Sequence, residues 1–273
     1  MLTRVISGIV LVIAALITIL AGGYVLAAVL LLLSLIGYCE LMKACRLKEE
    51  KPQNNGLMII GSIGIVLYYL LMVFTTDRTY LFLAIIMILV AFMFLYVLTF
   101  PKYHAEQVMS ALFNVIYAPV MLSCIYLVRS LPYGEYSVWM IFISSWICDT
   151  CAYFVGVAFG KHKMSPKLSP KKSIEGAIGG VAGSAVVGAL YAYFIVERVI
   201  AEQQITWIFV LISAAGAVIS QIGDLAASAI KRNHDIKDYG KLIPGHGGVM
   251  DRFDSVIFTA PMIYLLVHLL IRA

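Results

Sequence analysis

The sequence predicts an all-α, polytopic membrane bundle of about nine spanning helices with the N-terminus in the cytoplasm. Three observations predict it. Of 273 residues, 62% are hydrophobic and only 13% charged, and mean hydropathy is +0.95. A soluble domain carries about 25% charged and about 45–50% apolar residues. The excess would leave an apolar surface that water drives to aggregate. Second, the apolar residues come in runs near the length of about 20 that a helix needs to cross hydrocarbon. A closed β-barrel is the other spanning solution, but runs such as Val25–Leu33 do not alternate. Third, the basic residues fall on one side of the predicted spans. These numbers exclude an ordinary cytosolic enzyme, a disordered chain and a nucleic-acid-binding domain. The pI near 8.9 does not restore the last, because the basic residues lie in loops between apolar runs.

The predicted spans are Val5–Ala21, Tyr24–Met42, Leu57–Thr75, Thr79–Phe100, Val108–Ser130, Tyr136–Ala158, Glu175–Val196, Thr206–Ile230 and Ser255–Arg272. The first reads as an uncleaved span. It lacks a small-x-small cleavage site followed by a polar domain, and the chain re-enters the membrane at once. With the N-terminus inside, only Arg78, Arg129, Arg198 and Arg272 of the 20 basic residues fall on the outer face. That asymmetry is the positive-inside pattern, and losing or adding one span would scramble it. The five cysteines lie mostly in or beside spans. Cys148 and Cys151 form C-x-x-C but have no second Cys or His pair nearby, so buried free thiols are expected rather than zinc or a disulfide framework.

Two long inner connections hold most of the polar residues, about 159–174 and 231–254. Long charged loops in a compact bundle are usually functional or disordered, and the Gly, Pro and His spacing here is too specific for a linker. Asp149 lies in the sixth span and Asp224 in the eighth. A carboxylate there is costly, which points to function; a snorkelling or serine-paired structural acid is the bland alternative. Glu40, near a helix end, reads as structural. Gln221, Asp224 and Ser228 share one helix face, which Lys231 continues. Asp251 and Asp254 are three apart at the start of the ninth helix, where capping is the alternative because the helix dipole favours acids. Asp224 closes the eighth span and Asp251 opens the ninth, so a loop folding back is expected to bring them together. Clustered carboxylates make a hard-oxygen site suited to Mg²⁺, which leaves positions for water and phosphate oxygens.

Around the acids lie Lys161, Lys167, Lys171, Lys172, Lys231, Arg232, Lys237, Lys241 and Arg252. Topology and anionic lipid explain their sign, but not the acids beside them. Nor do they explain the turn Gly245-His246-Gly247-Gly248 before a helix, which suits backbone amides approaching an anion. Acids, cations and glycine turn together describe phosphate transfer. There is no G-x-x-x-x-G-K-[ST] loop, so a P-loop enzyme is excluded. The G-x-x-x-G pairs Gly176/Gly180 and Gly179/Gly183 predict close helix packing, within the chain or between two chains.

The stretch Ser228-x-x-Lys231-Arg232, Lys237-Asp238, Pro244-Gly245-His246-Gly247-Gly248, Asp251-Arg252-x-Asp254 resembles the C-terminal signature of the phosphatidate cytidylyltransferases, or CDP-diacylglycerol synthases. Upstream, Asp149-Thr150-x-Ala152-Tyr153, Gly160-Lys161, Ser169-Pro170-Lys171-Lys172-Ser173-x-Glu175-Gly176 and Gln221-x-Gly223-Asp224 resemble the same family. The likeness covers about residues 145–255. It implies that CTP and phosphatidate give CDP-diacylglycerol and pyrophosphate with Mg²⁺, the number of cations being open. It implies a catalytic set of Asp224, Asp251, Lys231, Arg232, His246 and Arg252. Metal ligands would be Asp224, Asp251 and Asp254. Substrate would be held by Asp149, Lys161, Ser169, Lys171, Lys172, Ser228, Lys237, Gly247 and Gly248. Residues 1–130 would be a lipid-facing scaffold and 131–273 the catalytic region. The expected setting is the inner membrane, multi-pass, with the active site facing the cytoplasm; the partners are CTP and bilayer phosphatidate, with a homodimer suggested by the glycine-lined helix. Two other functions compete. A CTP-dependent polyprenol kinase shares acids and cations, and a secondary transporter would place polar sites near the midplane in paired repeats. Here the polar residues crowd to one face and no repeat is visible.

Overall fold

The computed structural model describes residues 2–45, 55–199, 205–243, 245 and 247–271. The described residues form the helices α1 (Leu2–Ala21), α2 (Gly23–Ala44), α3 (Gly56–Phe74), α4 (Thr79–Thr99), α5 (Ala105–Arg129), α6 (Gly134–Phe159), α7 (Ile174–Phe194), α8 (Ile205–Asn233) and α9 (Met250–Leu270). Eight of them are long and apolar enough to cross a membrane. In α1 the stretch with described side chains is a shorter apolar run, Ser7–Ala21. Each expected span falls on one of these helices, and the protein is a multi-pass helical membrane protein.

Local chemistry sets the helix ends. Gly22 and Gly23 take positive φ, 60° and 45°, which lets α2 follow α1 after a single residue. Asn55 caps α3 by accepting from the amides of Leu57 (3.2 Å) and Met58 (3.4 Å). Ser173 caps α7 by accepting from the Gly176 amide at 3.2 Å. Two helices widen for one turn, α5 at Ile116–Val120 around Pro119 and α6 at Ile143–Ile147. Proline lacks the N–H that a regular α-turn needs, which accounts for the first. The second shifts the register of α6 immediately before Cys148 and Asp149.

The chain divides into two compact units. One comprises Met1–Ser123 with Ile236–Arg252. Its interior is laced by tyrosines. Tyr38 Oη donates to the Leu57 carbonyl (3.1 Å), and Ser34 and Tyr69 share a bond at 2.8 Å. Tyr69 also donates to the carbonyl of Pro119 (3.3 Å). Tyr38 fits because residue 61 is glycine: a Cβ there would lie 2.1 Å from its hydroxyl. Between membrane helices such bonds contribute about 0.6–2 kcal/mol each.

The other unit comprises Cys124–Asp235 with Phe253–Ala273. Here α7 packs on α6 and α8 through small residues. A Cβ on Gly180 would lie 2.9 Å from the Cys148 carbonyl, and one on Gly183 2.5 Å from Cys151 Sγ. Gly188 faces Ser213 on α8, and Gly216 of α8 faces Ser144 on α6. The glycine surface is therefore filled within the chain, which removes the sequence argument for a dimer through it. Replacing Gly180 by valine should destabilise the bundle by about 2 kcal/mol, an overpacking cost, and lower the Tm in detergent by roughly 5 °C. An unchanged Tm would contradict this packing. None of the five cysteines, all of them described, forms a disulfide, and Cys148 is buried.

The connection between α6 and α7 differs from the expected irregular loop. It contains a hairpin of β1 (Lys163–Ser165) and β2 (Ser169–Ser173), paired antiparallel with Lys163 opposite Ser173 and Ser165 opposite Ser169. Glu175, in the first turn of α7, fastens it. Its carboxylate accepts from the amides of Lys161 (3.1 Å) and His162 (3.2 Å) and pairs with His162 Nδ1 at 2.6 Å. The strands are too short and too charged for alternation to announce them, and their stability comes from this anchor.

Candidate functional site

In the second unit, α6, α7, α8 and the hairpin enclose a cavity of about 500 Å³. One part is charged, with Asp149 on α6, Lys163 on β1, Lys171 and Lys172 on β2, and Asp224 on α8. The rest is apolar or small, including Ala152, Tyr153, Val157, Met164 and Ala177. Gln221 and Asp224 both line it, as their shared helix face requires. Gln221 is buried and donates to the Ala177 carbonyl (2.9 Å) and to Cys148 Sγ (3.3 Å), tying α8 to α7 and α6.

Asp224 is the hub of this cavity. The Lys172 ammonium pairs with Oδ2, and Ser228 Oγ donates to Oδ1 at 3.4 Å. Both charged side chains are about a quarter exposed, 28% for Lys172 and 26% for Asp224. Asp254, on α9, accepts from the Ser255 amide at 2.9 Å and stands within electrostatic reach of Asp224, Lys231 and Asp149. Gly223 brings the helices close, since a Cβ there would lie 2.9 Å from the Asp254 carbonyl. Lys161 follows α6, Ser169 opens β2, and Lys231 and Arg232 form the last turn of α8.

The remaining predicted residues lie in the first unit, on the segment 236–252. Lys237 is exposed, as is Arg252. Gly247 has φ +85°, a left-handed conformation that glycine adopts without penalty. The Asp251 side chain is buried and turns back on this segment: Oδ2 accepts from the amides of Tyr239 (2.8 Å) and Gly248 (2.9 Å). Glu40 of α2 accepts from Val249 (3.1 Å) and Met250 (2.9 Å). The Gly248, Val249 and Met250 amides that a helix start offers to an anion are thus held by the protein's own carboxylates. His246 lies outside the described residues.

Among the described residues no three His, Cys, Asp or Glu side chains form a ready metal cage. Mg²⁺ does not require one, because it uses one or two carboxylates and completes its shell with water and phosphate. The donors fit that habit. Asp224 already attracts a cation, the Lys172 ammonium, and Asp149 and Asp254 add hard oxygens nearby. In the sequence Glu40 and Glu175 have no role beyond structure or likeness, Tyr153 stands out only within the family-like stretch 149–153, and Lys163 and Val157 do not stand out. The partners of the two glutamates are backbone amides, which leave no side-chain signature.

The fold and cavity define a multi-pass membrane protein with a hollow lined both by opposed charges and by apolar side chains. The chain belongs to the cytidylyltransferase family, whose model matches residues 2–270. It is 31% identical over 225 residues to the phosphatidate cytidylyltransferase of Rickettsia bellii, covering 80% of this chain and 93% of that protein. It is 37% identical over 131 residues to that of Haemophilus influenzae, 48% of this chain and 45% of the relative. Against the Bacillus subtilis protein of the same name it is 34% identical over 138 residues, 50% and 49%. The chain thus spans about half the length of the last two relatives.

Proposed function

We propose that this chain is a phosphatidate cytidylyltransferase that transfers CMP from CTP to phosphatidate, giving CDP-diacylglycerol and pyrophosphate. The observation that carries the reading is the two-part cavity, charged at Asp149, Lys163, Lys171, Lys172 and Asp224 and apolar along Ala152, Tyr153, Val157 and Ala177. A lipid phosphate needs both. Family membership supports it.

The lipid's phosphate monoester is already an anionic nucleophile at neutral pH. One of its oxygens attacks the α-phosphorus of CTP, that P–O bond forms, and the bond to the β-phosphate oxygen breaks. Pyrophosphate takes the electron pair. No side chain has to form a covalent intermediate, and Ser228, bonded to Asp224, serves to orient that carboxylate. Lys171, Lys172 and Lys163 neutralise phosphate charge, a preorganised electrostatic role. Asp224 would hold Mg²⁺, with water and phosphate oxygens completing its shell and Asp254 and Asp149 as additional or outer acids, and Asp251 keeps the ligand role that the family resemblance implies. Mg²⁺ bound there would polarise phosphate oxygens and neutralise their charge. The charge asymmetry of the loops supports a cytoplasmic site in the inner membrane, open to CTP.

The test is purified protein with labelled CTP and phosphatidate, with and without Mg²⁺. Label should enter lipid only with the divalent ion, and chelation should stop it. Lipid labelling that persists in excess chelator would overturn the metal assignment, and no labelling in any condition would overturn the reaction. Lys171→Ala combined with Lys172→Ala should mainly raise KM for CTP, by roughly 100-fold for two charge-assisted contacts of about 1.5 kcal/mol each. An unchanged KM would return those lysines to topology.

A further inference from the structure

Glu40 stands about two hundred positions before the polar signature, on a helix that otherwise reads as scaffold. Its carboxylate is nevertheless the peg against which Gly240 and the stretch 248–250 pack. Glu40 is 5% exposed. Oε1 accepts from the Val249 amide at 3.1 Å and Oε2 from the Met250 amide at 2.9 Å. Two glycines of the segment press on the same group. A Cβ on Gly240 would lie 2.2 Å from Oε1, and one on Gly248 2.4 Å from Oε1 and 2.5 Å from Oε2. The glycines also meet each other, a Gly240 Cβ falling 3.1 Å from the Gly248 Cα. The same turn supplies the Gly248 amide that holds Asp251 Oδ2, and Tyr239, beside Gly240, supplies the other.

A carboxylate suits this place because both its oxygens only accept. It meets two amides that the start of α9 leaves without intrahelical partners, and its charge is favoured by the helix dipole. Any non-glycine residue at 240 or 248 would collide with it. Glu40, the two glycines and Asp251 therefore form one construction, in which the position of Asp251 follows from the position of Glu40.

We propose that Glu40 is a positioning residue for the transfer reaction: it holds Gly240 and the stretch 248–250 so that the Asp251 carboxylate is presented in its working orientation. This rests on the cytidylyltransferase reading and on the role that reading gives Asp251. Glu40→Gln is the informative variant. The amide group keeps the size but replaces one acceptor with a donor, so one of the two backbone N–H groups faces another N–H. In detergent-purified protein, deuterium uptake across 240–250 should rise at least 10-fold relative to wild type. The kcat per folded enzyme should fall at least 10-fold, and the Mg²⁺ concentration giving half activity should rise several-fold, while KM for CTP stays within about 2-fold. Gly240→Ala, which pushes on the same carboxylate from the turn, should reproduce this pattern if Glu40→Gln folds poorly. Unchanged exchange in 240–250 would overturn the proposal, as would faster exchange with unchanged kcat and Mg²⁺ dependence, which marks a merely structural cap. If wild type transfers no label from CTP, the reaction reading has failed, and the exchange arm still reports separately on the peg.

Discussion

Asp224→Asn should reduce CTP-dependent turnover on the order of 10³-fold, the scale on which removing one group that stabilises transition-state charge is felt, while the protein still folds. The geometry separates the two effects. Asparagine keeps one oxygen that can accept from the Lys172 ammonium on the Oδ2 side, and its NH2 can donate to the Ser228 hydroxyl, which turns from donor to acceptor. The lost charge weakens a partly exposed ion pair, which costs less than about 1 kcal/mol. It also removes the anionic ligand that the hollow offers closest to Lys172, with Asp149 and Asp254 left as the nearby acids. Turnover at varied Mg²⁺ together with a thermal melt checks this. Near-wild-type activity of Asp224→Asn at low Mg²⁺ would show that this carboxylate is not a ligand.

The second large effect is at Asp251, where two substitutions should part company. Asp251→Ala strips the acceptor from the amides of Tyr239 and Gly248. Each buried N–H left unsatisfied costs about 1–3 kcal/mol, so a loss of several kcal/mol and a large fall in Tm are expected. Asp251→Asn retains one carbonyl oxygen that can take both bonds, so the fold should survive with a modest change in Tm. Its turnover should still drop by about two orders of magnitude or more if the charge itself is needed. A folded, fully active Asp251→Asn would confine Asp251 to holding the turn.

The helices were legible because the solvent demands them: spans 57–75 and 79–100 were placed within a residue or two of α3 and α4 from hydropathy alone. The start of α9 at Met250 was legible from Asp251 and Asp254, which read as the opening of the ninth helix, but not from hydropathy, which begins the span at Ser255 because a polar first turn sustained by Glu40 and Asp251 reads as loop. The hairpin at 163–173 was missed for a related reason, since its anchor is the bond pattern of Glu175 rather than strand periodicity. In the site, the i, i+3, i+7 spacing of Gln221, Asp224 and Ser228 was readable and places Asp224 in the cavity beside Gln221. Lys172, which pairs with it from β2, and Asp149, which shares its cavity, carry charge but no spacing relation to it. On the apolar wall of the cavity, Tyr153 showed only as part of the family-like stretch 149–153, and Val157 was invisible among its apolar neighbours.

The central claim is that a lipid phosphate attacks the α-phosphorus of CTP. Purified protein given phosphatidate and CTP labelled at either the α- or the γ-phosphorus tests it most directly. The α-label should appear in the lipid product and the γ-label in released pyrophosphate. Lipid carrying the γ-label and none of the α-label would show a kinase and contradict it.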